Sequence, residues 1–297
     1  MSLLAWLRHR LPARAASARW GVQASPVRQL AVRCHWDGAQ RPRFTQALAS
    51  APAAFDASVL AGTATTLLLP TDDYAIEWVD APKVPPSEID DALRWSIKDR
   101  IEWPLDEVAV SGYPMPATSS SRRLAMAVAA PRERLRHWVG SWPAAARARL
   151  AIDVPEQALR NLAGLASGDG CAGLLHIGFD DAMLVVVRAG ALESRRLLPH
   201  DHETFADAGS PSFEAAVLDL QRTLDAHARL VGNVDSLTLW VSSVGDAEAS
   251  AVALDDHLGV RCEPFDARRW IDWRADRPLH DRASGIDFLY AVGAALR

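Results

Sequence analysis

Lysine is nearly absent from this chain. Lys83 and Lys98 are the only two, and arginine supplies the remaining fixed positive charge. With heavy alanine use, that bias points to a high-GC bacterial genome and carries no functional information. Cysteine is equally sparse: Cys34, Cys171 and Cys262 are far apart, odd in number and never spaced as CxxC. That spacing argues against a disulfide framework and against a zinc site, and it predicts a reducing compartment. Excess positive charge is missing too. A net charge of -5 argues against general nucleic-acid binding, which needs a basic field. No apolar run approaches the roughly 20 residues that span a bilayer. The N-terminus has no continuous apolar core with a cleavage site, so no secretory signal is expected. Neither GxSxG nor GxxxxGK occurs, which removes the common serine-hydrolase and P-loop readings.

What is present is the composition of a globular protein. The chain has 297 residues, 49% hydrophobic and 23% charged, enough for two domains. Residues 1–19 stand apart. Leu3, Leu4, Leu7 and Leu11 fall on one helical face, with Trp6 nearby. Arg8, Arg10, Arg14, Arg19, Arg28 and Arg33 all precede the first acid, Asp37. A basic helix of this kind can lie on an anionic membrane surface through Leu3, Leu4, Leu7, Arg8 and Arg10. A terminus packed on its own domain, or a transit peptide, fits the same composition.

Periodicity predicts three further units. Residues 20–80 read as strands with one weak helix at Phe44–Leu48; Thr66–Pro70 and Tyr74–Val79 read as neighbouring strands joined at Thr71–Asp73. Residues 81–149 read as helix, strand, strand, helix. Ser87 is placed to cap the first helix, with Asp90 at its third position. Ile89, Leu93, Ile97 and Ile101 form its apolar stripe, and Asp90, Asp91, Arg94 and Lys98 its solvated side. Residues 150–297 open with the strand and helix of Ala151–Leu162 and the strand pair from Leu174 to Arg188. Ser210 and Pro211 start a helix buried through Phe213, Val217, Leu220, Leu224 and Leu230. Gly232 and Asn233 end it, and a final apolar helix covers Ile286–Leu296.

These pieces carry a resemblance. Leu68-Leu-Pro70 with Tyr74, Val84-Pro-Pro-Ser-Glu88, Ala92-Leu-Arg-Trp95, Glu102-Trp-Pro104, Ile152-Asp-Val-Pro-Glu-Gln-Ala-Leu-Arg160, Leu220-Gln-Arg-Thr-Leu-Asp225 and Ala291–Arg297 recur in order and spacing. Together they resemble the pilus-assembly PilM family, and most closely its MshI relatives of mannose-sensitive pilus systems. The resemblance implies an α/β actin-like fold of the FtsA type, with duplicated ribonuclease H-like halves and a small inserted α+β subdomain. It implies a cytoplasmic protein held at the inner membrane by partners. It also implies a groove near the inserted subdomain that takes the cytoplasmic tail of a single-span PilN-like protein. The cytoplasmic domain of the secretion protein GspL shares that fold and is an alternative match.

An actin-like ATPase cradles phosphate in two glycine-rich hairpin turns, each with an acid for magnesium or water, and fits adenosine against a third glycine-rich turn. Against the family pattern, the first hairpin corresponds to Gly21-Val-Gln-Ala-Ser-Pro26. Gln23 replaces the acid, Ser25 remains, and Pro26 has no N–H to donate. The second corresponds to His176-Ile-Gly-Phe-Asp-Asp181: His176 replaces the acid, Gly178 remains, Phe179 adds bulk, and Asp180 and Asp181 put negative charge at the phosphate position. One such charge about 4 Å from phosphate costs on the order of 4 kcal/mol at an effective dielectric near 20. The third turn, Val241–Gly245, keeps Ser243 and a single glycine, Gly245.

The expectation is therefore a non-enzymatic assembly-platform scaffold with a degenerate nucleotide site and no required cofactor or metal. ATP with magnesium is the alternative, in a working ATPase on the same fold. Trp95 and Trp103 flank the inserted helix and are candidates for a peptide groove, with core packing an equal reading. His200-Asp-His202 reads as a loop rather than a metal fragment. Trp270-Ile-Asp-Trp273 reads as a packed loop.

Overall fold

The structure is a computed structural model that describes residues 17–36, 41–115, 123–140, 142–167, 170–231, 237–281 and 283–297. Strands β1 (Ser17–Ala24), β2 (Gln29–Trp36) and β3 (Arg43–Ser50) form an antiparallel meander, and β4 (Ala64–Leu68) runs parallel to β1. The chain then leaves this sheet. Strand β5 (Ala75–Asp80), helix α1 (Ile89–Ser96) and strands β6 (Val108–Pro114) and β7 (Leu124–Pro131) build a separate antiparallel sheet in the order β5-β7-β6. Helices α2 (Arg132–Gly140) and α3 (Ala144–Arg147) return the chain to β8 (Leu150–Asp153), which pairs parallel with β4.

Helix α4 (Pro155–Ser167) leads into the second sheet. Its members are β9 (Cys171–Ile177), β10 (Ala182–Arg188), β11 (Ala191–Leu198) and, after helix α5 (Pro211–Val231), β12 (Thr238–Ser243). Helix α6 (Ala247–Leu258) and β13 (Arg261–Pro264) complete it. Short strands β14 (Asp272–Trp273), β15 (His280–Asp281) and β16 (Ile286–Asp287) precede the last helix, α7 (Leu289–Ala295).

The order β3-β2-β1-β4-β8 in one sheet repeats as β11-β10-β9-β12-β13 in the other, with the same strand directions. The two halves are one topology used twice, as the resemblance implied. Strand β10 is a continuous apolar run because both its faces are covered. Leu174, Met183, Val185 and Val187 point into the core shared with the first sheet. Leu175, Ile177, Leu184 and Val186 point into a second core with α5 and α6. Helices α4 and α7 lie between the halves, and α7 touches β1 directly. That approach needs glycine: a methyl group at Gly21 would stand 2.0 Å from the Ala291 carbonyl oxygen. One at Gly293 would stand 2.2 Å from the Ala158 carbonyl oxygen.

Several expectations are corrected. Phe44–Leu48 lies in strand β3 rather than in a helix, because β2 needs a ladder partner and tertiary pairing overrides weak local preference. Tyr74–Val79 is not a neighbour of β4; β5 pairs with β7, so the inserted sheet takes in residues before 81. The segment 150–297 does not form a closed half, since β8 and β14 extend the first sheet and α7 packs on β1. Helix α1 begins at Ile89 with no side-chain cap, and Asp90 turns inward to accept from Ser111 Oγ and the Gly112 N–H, both at 3.2 Å. Helix α7 begins at Leu289, after β16. Leu3, Leu4, Leu7, Arg8 and Arg10, the Thr118–Arg122 turn, the Leu230 side chain, and Gly232 and Asn233 lie outside the described residues.

Candidate functional site

The two hairpin turns expected to cradle phosphate are Ser25–Arg28, between β1 and β2, and Gly178–Asp181, between β9 and β10. The first is closed on itself. Ser25 Oγ donates to the Arg28 carbonyl at 2.9 Å and accepts from the Arg28 N–H at 3.0 Å. The Arg28 guanidinium then donates to the Gly285 carbonyl at 2.7 Å. Gly21 is occupied by its contact with α7, well before the turn. Gln23 is half-buried, and its Oε1 has no hydrogen-bond partner among the described residues.

In the second turn the Gly178 N–H donates to the Asp181 carbonyl at 2.8 Å and is thereby used internally. Asp180 is exposed and Asp181 half-buried. Burial pushes the Asp181 carboxyl up, with Asp180 and Asp72 of the opposite half adding to the rise and His176 opposing it. Three carboxylates thus share the field at this turn.

His176 does not face that turn. It is buried, and its Nε2 lies 2.8 Å from Asp287 Oδ2. His280 Nδ1 lies 3.0 Å from the other oxygen, and the Leu289 N–H donates to it at 2.9 Å. Tyr290 packs edge-on against the His176 ring at 5.0 Å. Burial alone would raise the Asp287 carboxyl, but His176 and His280 outweigh it and hold it well below the usual carboxylate range. Asp287 in turn lifts His280 above the ordinary imidazole value against the effect of burial. Ser242 Oγ lies 3.3 Å from His176 Nδ1, so serine, histidine and aspartate stand in relay order. Ser242 is 1% exposed, so the three residues lie in the interior. The network ties β9, β12 and the approach to α7 together.

The third turn is also filled. Ser243 Oγ accepts from the Gly245 N–H at 2.9 Å, and Asp246 caps α6 through the Glu248 and Ala249 N–H groups. A methyl group at Gly245 would come within 3.4 Å of His202 Cβ. The His202 ring meets Phe179 edge-on at 5.6 Å, and its backbone N–H donates to the Gly178 carbonyl at 3.2 Å. His202 therefore bridges the second and third turns. Its neighbours are structural as well: His200 faces Asp219 at 3.2 Å, and Asp201 caps Thr204 at 2.9 Å.

A second buried polar layer joins the inserted subdomain to α4. Tyr74 donates to Glu156 Oε2 at 2.6 Å, and Arg195 lies 3.6 Å from the other oxygen. Gln157 donates to the Tyr113 hydroxyl at 2.9 Å. The Glu156-Gln157 pair of the resemblance thus joins α4 to Tyr74, Tyr113 and Arg195.

The structure separates the two tryptophans. Trp95 is 69% exposed at the end of α1, whereas Trp103 is half-buried against Leu93 and Ile97 of the subdomain core. Trp270 stacks on Phe265 at 5.0 Å as a packed loop residue, whereas Trp273 lies in β14 rather than in a loop, paired with Phe44 of β3 and stacked on its ring at 5.8 Å. Asp287, His280, Ser242 and Tyr290 were not singled out by sequence reasoning. They converge on His176 only through the fold, and no local spacing announces them.

No family model and no curated protein sequence matches this chain. Among solved structures it is similar to one described as the PilM-PilN type IV pilus biogenesis complex. The identity there is 20%, the TM-score 0.67, and the match covers 95% of this chain and 98% of that one. It is also similar to the cytoplasmic domain of EpsL, an inner membrane component of the type II secretion system of Vibrio cholerae. There the identity is 14%, the TM-score 0.50, and the coverage 94% and 95%. With its repeated five-strand order, and at this level of likeness, the chain adopts the actin-like ATPase fold.

Proposed function

We propose that this protein is a non-enzymatic scaffold in the assembly platform of a type IV pilus-like machine, of the MshI kind. It works at the cytoplasmic face of the inner membrane and captures the tail of a single-span PilN-like partner. The observation that carries the non-enzymatic part is the His176–Asp287 pair. The residue at the second hairpin's acid position is locked into the interior, and carboxylates stand at the turn itself. Similarity to a PilM-PilN complex and to a secretion-platform domain supports the setting. The exposed indole of Trp95 supports a peptide-binding surface on the inserted subdomain.

A scaffold holds its partner without nucleotide. The test is fluorescence anisotropy of a labelled partner tail titrated with this protein, with and without magnesium-ATP. Equal affinity in both conditions is expected. Binding that requires ATP would overturn the reading in favour of a working ATPase, and no binding in either condition would remove the partner assignment.

A further inference from the structure

Away from the hairpin turns, three potential metal ligands meet at the far end of the second sheet. Cys171 opens β9, Glu193 lies in β11, and His227 lies in the last turns of α5. Their Sγ, carboxylate oxygen and imidazole nitrogen atoms all lie within 4.8 Å of one another. The hairpin turn lies at the other end of β9, about 20 Å away at 3.3 Å per residue.

We propose that Cys171, Glu193 and His227 bind a zinc-class divalent metal ion that staples α5 to the end of the sheet. The donor set of thiolate, carboxylate and imidazole suits zinc, and three protein ligands leave a fourth position for water. Tetrahedral zinc holds such donors roughly 3.3–3.8 Å apart, and the 3.4 Å between His227 Nε2 and Glu193 Oε2 already falls in that range.

The second observation is His227 itself. It is 2% exposed, and its Nε2 makes no hydrogen bond among the described residues while lying 3.4 Å from Glu193 Oε2. A buried ring nitrogen without a hydrogen bond is costly unless something else satisfies it. Burial, helped by Arg188, holds His227 down at about 4, so at neutral pH its lone pair is free to coordinate. On binding, the Cys171 thiol gives its proton to solvent and the thiolate takes the metal.

Arg188 is the opposing group. Its Nε sits 3.1 and 3.2 Å from the two Glu193 oxygens, where it orients the carboxylate but adds a positive charge beside the cation. The site is therefore expected to bind more weakly than a four-cysteine structural zinc site. The scattered cysteines gave no hint of it, because the three ligands come from separate elements.

The experiment uses the full chain, stripped with chelator and titrated with zinc chloride by calorimetry. One ion per chain is expected, together with a higher thermal midpoint. Cobalt(II) in place of zinc should give a thiolate-to-metal charge-transfer band in the near ultraviolet. Cys171→Ser should abolish that band and weaken zinc binding at least tenfold, as should His227→Gln, while Cys262→Ser should change neither. Zinc heat that is absent, or that persists undiminished in Cys171→Ser, would overturn the assignment. Cys171 is half-exposed at a strand start, so Cys171→Ser keeps the test decisive if His227→Gln fails to fold.

Discussion

His176 and His227 show how one residue type is used in two ways. His176 sits 2.8 Å from a buried carboxylate, whereas His227 is held neutral by burial. Placing an acid at this strand position by His176→Asp would set two buried carboxylates against each other in place of a buried histidine–carboxylate pair. Losing one partner of such a pair commonly costs about 3–5 kcal/mol. The expected outcome is a large fall in the urea midpoint and no gain of ATP binding; an unchanged midpoint would remove the structural role given to the pair. For His227 the sign follows from proton counting. The unfolded chain binds a proton near the ordinary value of 6.5, the folded chain only near about 4. Between those values the unfolded state holds more protons, so this residue lowers stability as pH falls, by about 1.4 kcal/mol per pH unit at most. His280 is shifted the other way: its contribution is complete below 6.5 and fades as pH rises through its raised folded value. Denaturant unfolding of metal-free protein from pH 7 to pH 4 should show a steeper acid loss in wild type than in His227→Gln. Parallel curves would sink the claim.

Helix α7 is short, and close backbone contact adds to the burial of Leu289 and Val292 in holding it. A methyl group at Gly21 or Gly293 would meet carbonyl oxygens at 2.0 and 2.2 Å, and backbone cannot move aside as a flexible side chain does. Gly21→Ala and Gly293→Ala should each cost about 3 kcal/mol or more, the upper end for overpacking. Gly140→Ala, which meets nothing within 4 Å, is the matched control and should be nearly neutral. Equal midpoints for all three variants would contradict this packing. The same elements show what was legible in the sequence. The amphipathic stripe of α5, the apolar run of β10 and the Ser210 start of α5 could be read locally, because local pattern and burial agree there. Strand β3 was not legible, since Arg43-Phe-Thr-Gln-Ala-Leu48 has little strand character apart from its partner β2. Nor was the destination of β5, which depends on where the chain goes after Thr71–Asp73. At the candidate site, Gln23 and His176 could be singled out only by comparison with the pattern the resemblance implies. The partner of His176 could not, because Asp287 arrives from the far end of the chain.

At the scale of the whole molecule, the filled turns and the exposed indole make separate predictions. His202 bridges the second and third turns, and Asp72 and Asp180 add negative charge to the field at Asp181 of the second turn. Calorimetry with magnesium-ATP should therefore show no binding in the micromolar range; a saturable micromolar isotherm would overturn the degenerate-site reading. The two tryptophans of the inserted subdomain should then part company. Trp103 is packed against the core formed by Val79, Leu93, Ile97 and Val108, so Trp103→Ala leaves a void and should cost about 3 kcal/mol of stability. Trp95 is 69% exposed, so Trp95→Ala removes little buried area and should leave the unfolding midpoint nearly unchanged. If Trp95 anchors the partner tail, the same substitution should lose at least about 2 kcal/mol of binding, or roughly thirtyfold in affinity. Asp90 strengthens the distinction by fixing α1 against Ser111 and Gly112, so the helix that presents Trp95 is held whether or not the indole is there. The informative measurement pairs urea unfolding with tail-peptide anisotropy on both variants. Weakened capture by a fully stable Trp95→Ala protein places the tail on α1. Wild-type capture by that variant would move the binding surface off this helix, whatever Trp103→Ala does.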